Sequence, residues 1–270
     1  MKNYLLWENG APEFDASIGL PEPSIDAFIL PGEKKRGAII ICPGGGYNHL
    51  EDSREGTAIC EFFNTLGMNA FTLHYRVAPY HYPIELWDIQ RAVRYIRKNA
   101  DELKVDPDKI GVLGFSAGGH LCTMAIEHFD YGLDTGDEID RVSCRPDFSV
   151  LCYSASTLGR SFSPRGAAKY LIGEDAFEEK NAELIHKLSG ENSVPDDCPP
   201  TFIWHTCEDK AVPVVNAVVM AQALSEKKIP YELHIFPHGH HGLDLAKGAL
   251  GVERWTALVD AWLRDNNFKD

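Results

Sequence analysis

The spacing of apolar and polar positions predicts a chain in which strands and helices alternate. Gly37–Cys42 (GAIIIC) is a continuous apolar run, which is typical of a strand covered on both faces. The pattern predicts eight strands: Tyr4–Trp7, Ile25–Leu30, Gly37–Cys42, Asn69–Tyr75, Ile110–Phe115, Phe148–Tyr153, Thr201–Thr206 and Tyr231–Phe236. Helical spacing predicts helices at Arg54–Leu66, Ile84–Ala100 (with an arginine-rich outer face), Ala117–His128, Pro213–Lys227 and Leu250–Asn266, and Asp106–Asp108 is predicted to be a turn.

This order of elements predicts an α/β fold with a mostly parallel, doubly wound, eight-stranded sheet and helices on both faces. The first two strands are joined without a helix and are expected to form an antiparallel edge. A polar excursion at about residues 154–198 is expected to form a small cap with one or two short helices. Neither a repeat nor a linker divides the sequence, so we expect a single domain over residues 1–270. Chemistry in such sheets gathers at the carboxyl ends of the strands.

Composition and charge narrow the range of partners. The 270 residues are 44% hydrophobic and 24% charged, as in an ordinary globular protein. The net charge of −14 argues against nucleic acid or an anionic membrane as a partner, because either would need a basic patch. No apolar run of roughly 18 residues and no signal-peptide pattern is present, so we expect a cytoplasmic protein. The seven scattered cysteines, without a C-x-x-C pair, fit a reducing compartment and argue against a disulfide framework or a zinc site.

The sharpest motif is Gly114-Phe115-Ser116-Ala117-Gly118, a match to G-x-S-x-G between a predicted strand and a predicted helix. A sharp strand-to-helix turn needs flanking residues without side chains, and it projects the serine hydroxyl clear of the sheet. The helix N-terminus beneath it offers free N–H groups to developing negative charge. The alternative is a glycine-rich turn with an incidental serine. We predict that Ser116 is a nucleophile.

A glycine-rich loop, Pro43-Gly44-Gly45-Gly46-Tyr47, follows the third predicted strand. Consecutive glycines let the main chain approach a bound carbonyl and point N–H groups at it. A phosphate-binding loop is the alternative, but Gly44–Leu50 matches neither the Walker pattern nor G-x-G-x-x-G. Beside Ser116, this loop is expected to form part of an oxyanion hole.

A serine nucleophile needs a histidine base, and the base needs a carboxylate to orient it. In this type of fold the acid follows the serine along the chain, and the histidine follows the acid. The loop after Thr201–Thr206 offers two acids, and the loop after Tyr231–Phe236 offers three histidines. Spacing alone does not choose among these candidates: Glu208, Asp209, His238, His240 and His241. A metal site on the histidine loop is the alternative, although the zinc signature H-E-x-x-H is absent.

Seven segments together resemble the compact acetyl-esterase and acetyl-xylan-esterase-like branch of the α/β hydrolases: PGGGY at 43–47, Glu55-Gly56, Tyr75-Arg76, GFSAGGH at 114–120, PPTFIWHTCED at 199–209, VPV at 212–214 and ELHIFPHGHHGL at 232–243. The resemblance implies the α/β-hydrolase fold, and its H-T-x-x-D-x-x-V-P and G-x-H-G-L registers imply Asp209 as the acid and His241 as the base. It also implies oxyanion donors from the backbone of Gly45, Gly46, Tyr47 and Ala117. No cofactor or metal is required.

We therefore expect a serine carboxylic-ester hydrolase that releases acetyl or other short acyl groups from a small carbohydrate ester, for example an acetylated xylo-oligosaccharide. The small cap lacks the extended apolar helix that long acyl chains would need. Five aromatic residues are candidates for stacking on a sugar ring: Tyr47, Tyr80, Tyr82, Trp87 and Trp204. The competing hypotheses are a small prolyl-oligopeptidase-like peptidase, a non-catalytic binder and a metal-binding protein. The oligomeric state, with a homodimer among the options, stays open.

Overall fold

The computed structural model describes residues 1–134 and 136–269. Within these ranges the strands form one eight-stranded sheet in the order β1-β2-β4-β3-β5-β6-β7-β8. Its strands are β1 (Lys2–Leu5), β2 (Ser24–Phe28), β3 (Arg36–Cys42), β4 (Asn69–His74), β5 (Val105–Phe115), β6 (Phe148–Cys152), β7 (Thr201–Thr206) and β8 (Tyr231–Phe236). β2 runs antiparallel to both of its neighbours, and all pairings from β4 to β8 are parallel. The predicted mostly parallel sheet with an antiparallel edge is confirmed.

The helices of the described ranges are α1 (Asp52–Glu55), α2 (Thr57–Thr65), α3 (Ile84–Lys98), α4 (Ser116–Glu127), α5 (Arg165–Ile172), α6 (Ala182–Lys187), α7 (Val215–Glu226) and α8 (Trp255–Asp265). The helix predicted at Arg54–Leu66 is two helices, because Gly56 leaves helical geometry between α1 and α2. The turn predicted at Asp106–Asp108 lies inside β5, where the pairing with β3 shifts register. Among the residues described, no helix combines the length and apolar character needed to cross a membrane.

The continuous apolar run of β3 is explained by two hydrophobic cores, one on each face of the sheet. Ile39 and Ile41 point to the face covered by α2 and α8, while Ala38 and Ile40 point to the face covered by α3, α4 and α7. Alternate side chains of a strand point to opposite faces, so a strand covered on both faces has no polar position. This packing holds the carboxyl ends of β3 and β5 side by side.

The arginines of α3 do not form the predicted outer face. Arg91 and Arg94 are only 2% and 3% exposed. Arg91 binds Asp137 and Asp140, and Arg94 binds Asp130. That part of the prediction is wrong, because the acidic partners lie some 36–49 positions further along the chain and are invisible to local periodicity.

The predicted cap, residues 154–198, contains α5 and α6 together with two short 3₁₀ helices. It packs against the sheet through apolar side chains that belong to the same core as α3 and α4: Ala168, Leu171, Ile185 and Leu188. The two short α-helices agree with the prediction of one or two in this segment.

Candidate active site

The turn between β5 and α4 has the geometry of a strained strand-to-helix turn. Ser116 begins α4 with a φ of 53°, a left-handed value that is uncommon for a residue with a side chain. A Cβ on Gly118 would lie 2.1 Å from the carbonyl oxygen of Cys42, and one on Gly114 would lie 2.1 Å from that of Gly118. Glycine is therefore required on both sides of Ser116, as the sequence pattern implied.

The structure brings together the three residues predicted to form a triad. The Ser116 hydroxyl lies 2.8 Å from Nε2 of His241. Nδ1 of His241 lies 2.6 Å from Oδ2 of Asp209. The other oxygen of Asp209 accepts the backbone N–H groups of Ala211 and Val212 at 3.0 and 2.8 Å. Since an ionised carboxylate only accepts hydrogen bonds, His241 carries its proton on Nδ1 and leaves Nε2 free to accept the serine proton.

The environment of Asp209 keeps this carboxylate charged. Burial alone would raise its pKa, but hydrogen bonds from His205, His241 and the Val212 N–H outweigh burial and hold the pKa of Asp209 well below its usual range. Nε2 of His205 lies 2.8 Å from the carbonyl oxygen of Val212 and 3.3 Å from Asp209. His205 was not among the candidate site residues, because its contact with Asp209 depends on the turn at residues 206–212. An ionised Asp209 can stabilise a positively charged His241.

The alternative acid and bases lie elsewhere. Glu208 is 3.0 Å from Nδ1 of His238 and accepts the Gly239 N–H at 3.0 Å. Both side chains of that pair are largely exposed. His240 is also exposed, and its Nδ1 lies 2.6 Å from the carbonyl oxygen of His241. In the part of the chain that the structure describes, no group of three or more His, Cys, Asp or Glu side chains could hold a metal ion.

The glycine loop presents unpaired donors beside the serine. Gly45, Gly46 and Tyr47 all have positive φ, a conformation that favours glycine. No residue in the described ranges accepts the backbone N–H of these three residues or of Ala117, at the start of α4. These are the four groups predicted to form the oxyanion hole, and the loop and Ser116 border one cleft.

The side chain of Tyr47 supports the loop from beneath and does not face a substrate. Its hydroxyl lies 2.8 Å from Nδ1 of His120, whose Nε2 lies 2.7 Å from the carbonyl oxygen of Leu188 in the cap segment. Burial lowers the pKa of His120 to about 4, so this histidine is neutral and its Nδ1 accepts the hydrogen bond from the Tyr47 hydroxyl. Tyr47, Tyr80 and Trp204 are buried, which corrects the expectation that they could stack on a sugar.

Glu55 is a site residue whose role the sequence did not reveal. Its carboxylate is buried and accepts the Gly44 N–H at 2.7 Å through one oxygen and the Tyr153 hydroxyl at 2.7 Å through the other. The pair Glu55-Gly56 contributed to the resemblance, but nothing in its local sequence indicated burial. Burial raises the pKa of Glu55, and the hydrogen bonds from Tyr153 and Gly44 oppose that rise.

The cleft beside Ser116 is small and polar. Its volume is about 250 Å³, and it is lined by Gly45, Gly46, Glu51, Arg54, Glu55, Ser116, His241 and Gly242. A second depression of about 680 Å³ is lined by residues 207–211, His240 and His241. His241 borders both spaces.

Comparison with known proteins finds similarity to enzymes that include esterases. The BD-FAE family model matches residues 26–224. Endo-1,4-beta-xylanase B of Butyrivibrio fibrisolvens is 40% identical over 247 residues, which cover 89% of this chain and 38% of that protein. The acetylxylan esterase of Xylanibacter ruminicola is 29% identical over 239 residues, which cover 88% of this chain and 46% of that protein. The chain thus spans less than half the length of these two relatives.

Among solved structures, the acetyl ester-xyloside bifunctional hydrolase from Caldicellulosiruptor lactoaceticus superimposes with a TM-score of 0.95 at 43% identity. That match covers 100% of this chain and 97% of the other. These likenesses confirm the predicted α/β-hydrolase fold, the predicted resemblance and the predicted class of enzyme, a carboxylic-ester hydrolase.

Proposed function

The chain belongs to the BD-FAE family, and on that basis we propose that it removes acetyl and other short acyl groups from carbohydrate esters. The observation that carries the proposal is the hydrogen-bonded series Ser116–His241–Asp209, with heavy-atom distances of 2.8 and 2.6 Å. A nucleophile, its base and the group that orients the base are all within the reach that proton transfer requires.

The first half of the reaction forms an acyl-enzyme. As Ser116 Oγ bonds to the ester carbonyl carbon, its proton passes to Nε2 of His241, and the imidazolium is stabilised by Asp209. The tetrahedral intermediate carries its negative charge on the former carbonyl oxygen. The carbon–oxygen bond to the alcohol then breaks as His241 gives the proton to the departing alkoxide. The alcohol leaves, and the acyl group stays bonded to Ser116 Oγ.

The second half repeats this sequence with water. A water molecule loses a proton to His241 as it attacks the acyl carbon, and the proton returns to Ser116 Oγ when the carboxylic acid departs. In both halves we propose that the backbone N–H groups of Gly45, Gly46, Tyr47 and Ala117, which have no acceptor among the described residues, receive the oxyanion. Removing one such donor costs about 3–4 kcal/mol in comparable hydrolases.

Two observations support a short acyl group on a polar alcohol. The cleft of about 250 Å³ is bordered by glycines and by the polar side chains of Glu51, Arg54 and Glu55, which would not favour a long alkyl chain. Two of the relatives have names that include acetylxylan or acetyl ester-xyloside. Acetylated xylo-oligosaccharides are therefore the substrates that we propose.

The proposal is tested with p-nitrophenyl esters from acetyl to octanoyl and with an acetylated xylo-oligosaccharide, from which acetate release is measured. We expect kcat/KM to be highest for acetyl or propionyl and to fall steeply toward octanoyl. Activity on the octanoyl ester equal to that on the acetyl ester would refute the short-acyl assignment. An acylated peptide substrate is included, and faster cleavage of that peptide than of any ester would favour the peptidase hypothesis.

A further inference from the structure

The glycine loop is fixed by a buried acid. Glu55 is 2% exposed, and its Oε2 accepts the Gly44 N–H, the group that immediately precedes the unpaired donors of Gly45 and Gly46. The approach is close: a Cβ on Gly44 would lie 2.8 Å from that carboxylate oxygen and 3.2 Å from the Cβ of Ser116. A small movement of the Glu55 carboxylate would therefore be transmitted to the loop that faces Ser116.

The other oxygen of Glu55 reaches the opposite wall of the site through Tyr153. The Tyr153 hydroxyl donates to Oε1 of Glu55 at 2.7 Å and accepts the Asp244 N–H at 3.1 Å. Asp244 lies three positions after His241 in the same loop. The ring of Tyr153 also packs edge-on against the imidazole of His241, with 5.0 Å between ring centroids. One side chain thus contacts both the base and the loop that carries it.

We propose that Glu55 and Tyr153 are positioning residues that hold the glycine loop and the His241 loop in fixed relation around Ser116. The hydrogen-bonded series runs from the Gly44 N–H through both Glu55 oxygens and the Tyr153 hydroxyl to the Asp244 N–H. It connects the groups that receive the oxyanion with the group that transfers the proton. The inference rests on the proposed function, because it assigns roles in the same reaction.

Both contacts of Glu55 use a carboxylate oxygen as the acceptor. A glutamine offers one acceptor oxygen, so Glu55→Gln keeps either the Gly44 contact or the Tyr153 contact but leaves the other without its acceptor. Tyr153→Phe keeps the aromatic packing and removes only the hydroxyl. The two variants therefore interrupt the same series of hydrogen bonds. The fold-loss of kcat in the double variant should be smaller than the product of the two single losses.

The charge of Glu55 supplies a readout that a purely structural role would not change. The carboxylate interacts electrostatically with His241 and Arg54, and Tyr75, Cys152 and Tyr153 are the other titratable groups that sense it. His241 itself faces Ser116, Asp209 and Tyr153. Glu55→Gln removes a negative charge that interacts with the base, so the acid limb of the kcat/KM profile should move to lower pH.

The experiment compares wild type, Glu55→Gln, Tyr153→Phe and the double variant on p-nitrophenyl acetate across pH. We expect kcat to fall about 10- to 100-fold in each single variant, with KM within about threefold, and the double variant to fall no further than the worse single variant. Glu61→Gln is the matched control, because Glu61 is exposed on α2 and its loss removes one negative charge outside the site. Its kcat and pH profile should match those of wild type.

Several outcomes would overturn the inference while leaving the proposed function intact. One is wild-type kcat in Glu55→Gln; another is a double variant whose loss is the product of the single losses. A third is a uniform loss across pH in Glu55→Gln with no movement of the acid limb. Circular dichroism and thermal melting identify any variant that has lost its fold; if Glu55→Gln is unfolded, Tyr153→Phe, which removes only a hydroxyl, provides the decisive comparison with wild type. Failure of the proposed function would instead appear as inactivity of the wild type.

Discussion

Replacing Asp209 by asparagine should disable the site by reversing one hydrogen bond. The oxygen that accepts from Ala211 and Val212 can be kept by the amide oxygen of asparagine. The amide nitrogen then faces Nδ1 of His241 at the position where Oδ2 now lies 2.6 Å away. An NH₂ group donates, so His241 must place its own proton on Nε2 and can no longer accept the proton of Ser116.

The size of the effect follows from that change of tautomer. In a serine protease with the same arrangement, this replacement lowers kcat about 10⁴-fold, or about 5.4 kcal/mol of activation free energy. We expect a loss of this order for Asp209→Asn, because the Ser116–His241 contact has the same chemistry and Asp209 is buried. The fold should persist, since the hydrogen bonds within the turn are retained.

Glu208→Gln is the matched control for this experiment. Glu208 is the neighbouring acid, is exposed and pairs with His238, so its replacement should leave kcat within about threefold of wild type. The assay is steady-state hydrolysis of p-nitrophenyl acetate at pH 8, with melting temperatures recorded for both variants. An equal or larger loss in Glu208→Gln would refute the assignment of the acid and the register from which it was derived.

Two further predictions concern the fold around the site. Gly118→Ala should abolish activity or folding, because its Cβ would lie 2.1 and 2.5 Å from the carbonyl oxygens of Cys42 and Pro43; Gly166→Ala, in α5 with open space around it, should be neutral or stabilising by about 0.5–1 kcal/mol in urea denaturation. Equal effects of the two changes would contradict the close-packing argument. Burial raises the pKa of Glu85 from 4.5 to about 8, and within the described chain neither carboxylate oxygen has a partner. The folded protein should therefore lose stability as pH rises from about 4.5 toward 8, and Glu85→Gln should raise Tm more at pH 8 than at pH 5; an equal gain at both pH values would show that Glu85 does not titrate in this way.

Local sequence was sufficient for features that depend on local geometry. The apolar run of β3 and the glycines around Ser116 each reflect a constraint within a few residues, so the sheet and the nucleophile could be predicted. The acid and the base could not be chosen this way. Glu208 and Asp209 are adjacent, and only the family register or the three-dimensional contact with His241 separates them.

Features that depend on distant partners were missed. Arg91 lies on a regular helical face, and its burial follows from acidic residues nearly 50 positions away. Glu55 likewise lies among polar neighbours, and its two contacts are to Gly44 and to Tyr153, the latter 98 positions distant. Tyr47 was expected to present its ring to a sugar, but its hydroxyl is bound to His120, 73 positions away.

The central claim is that Ser116 is the nucleophile that cleaves a short-chain ester. The most direct test is kcat/KM for p-nitrophenyl acetate in wild type and in Ser116→Ala, with both proteins shown to be folded by their melting temperatures. Removing the hydroxyl leaves no atom to form the acyl-enzyme, so we predict a loss of at least about 10⁴-fold. Activity of Ser116→Ala within tenfold of an active wild type would contradict the account.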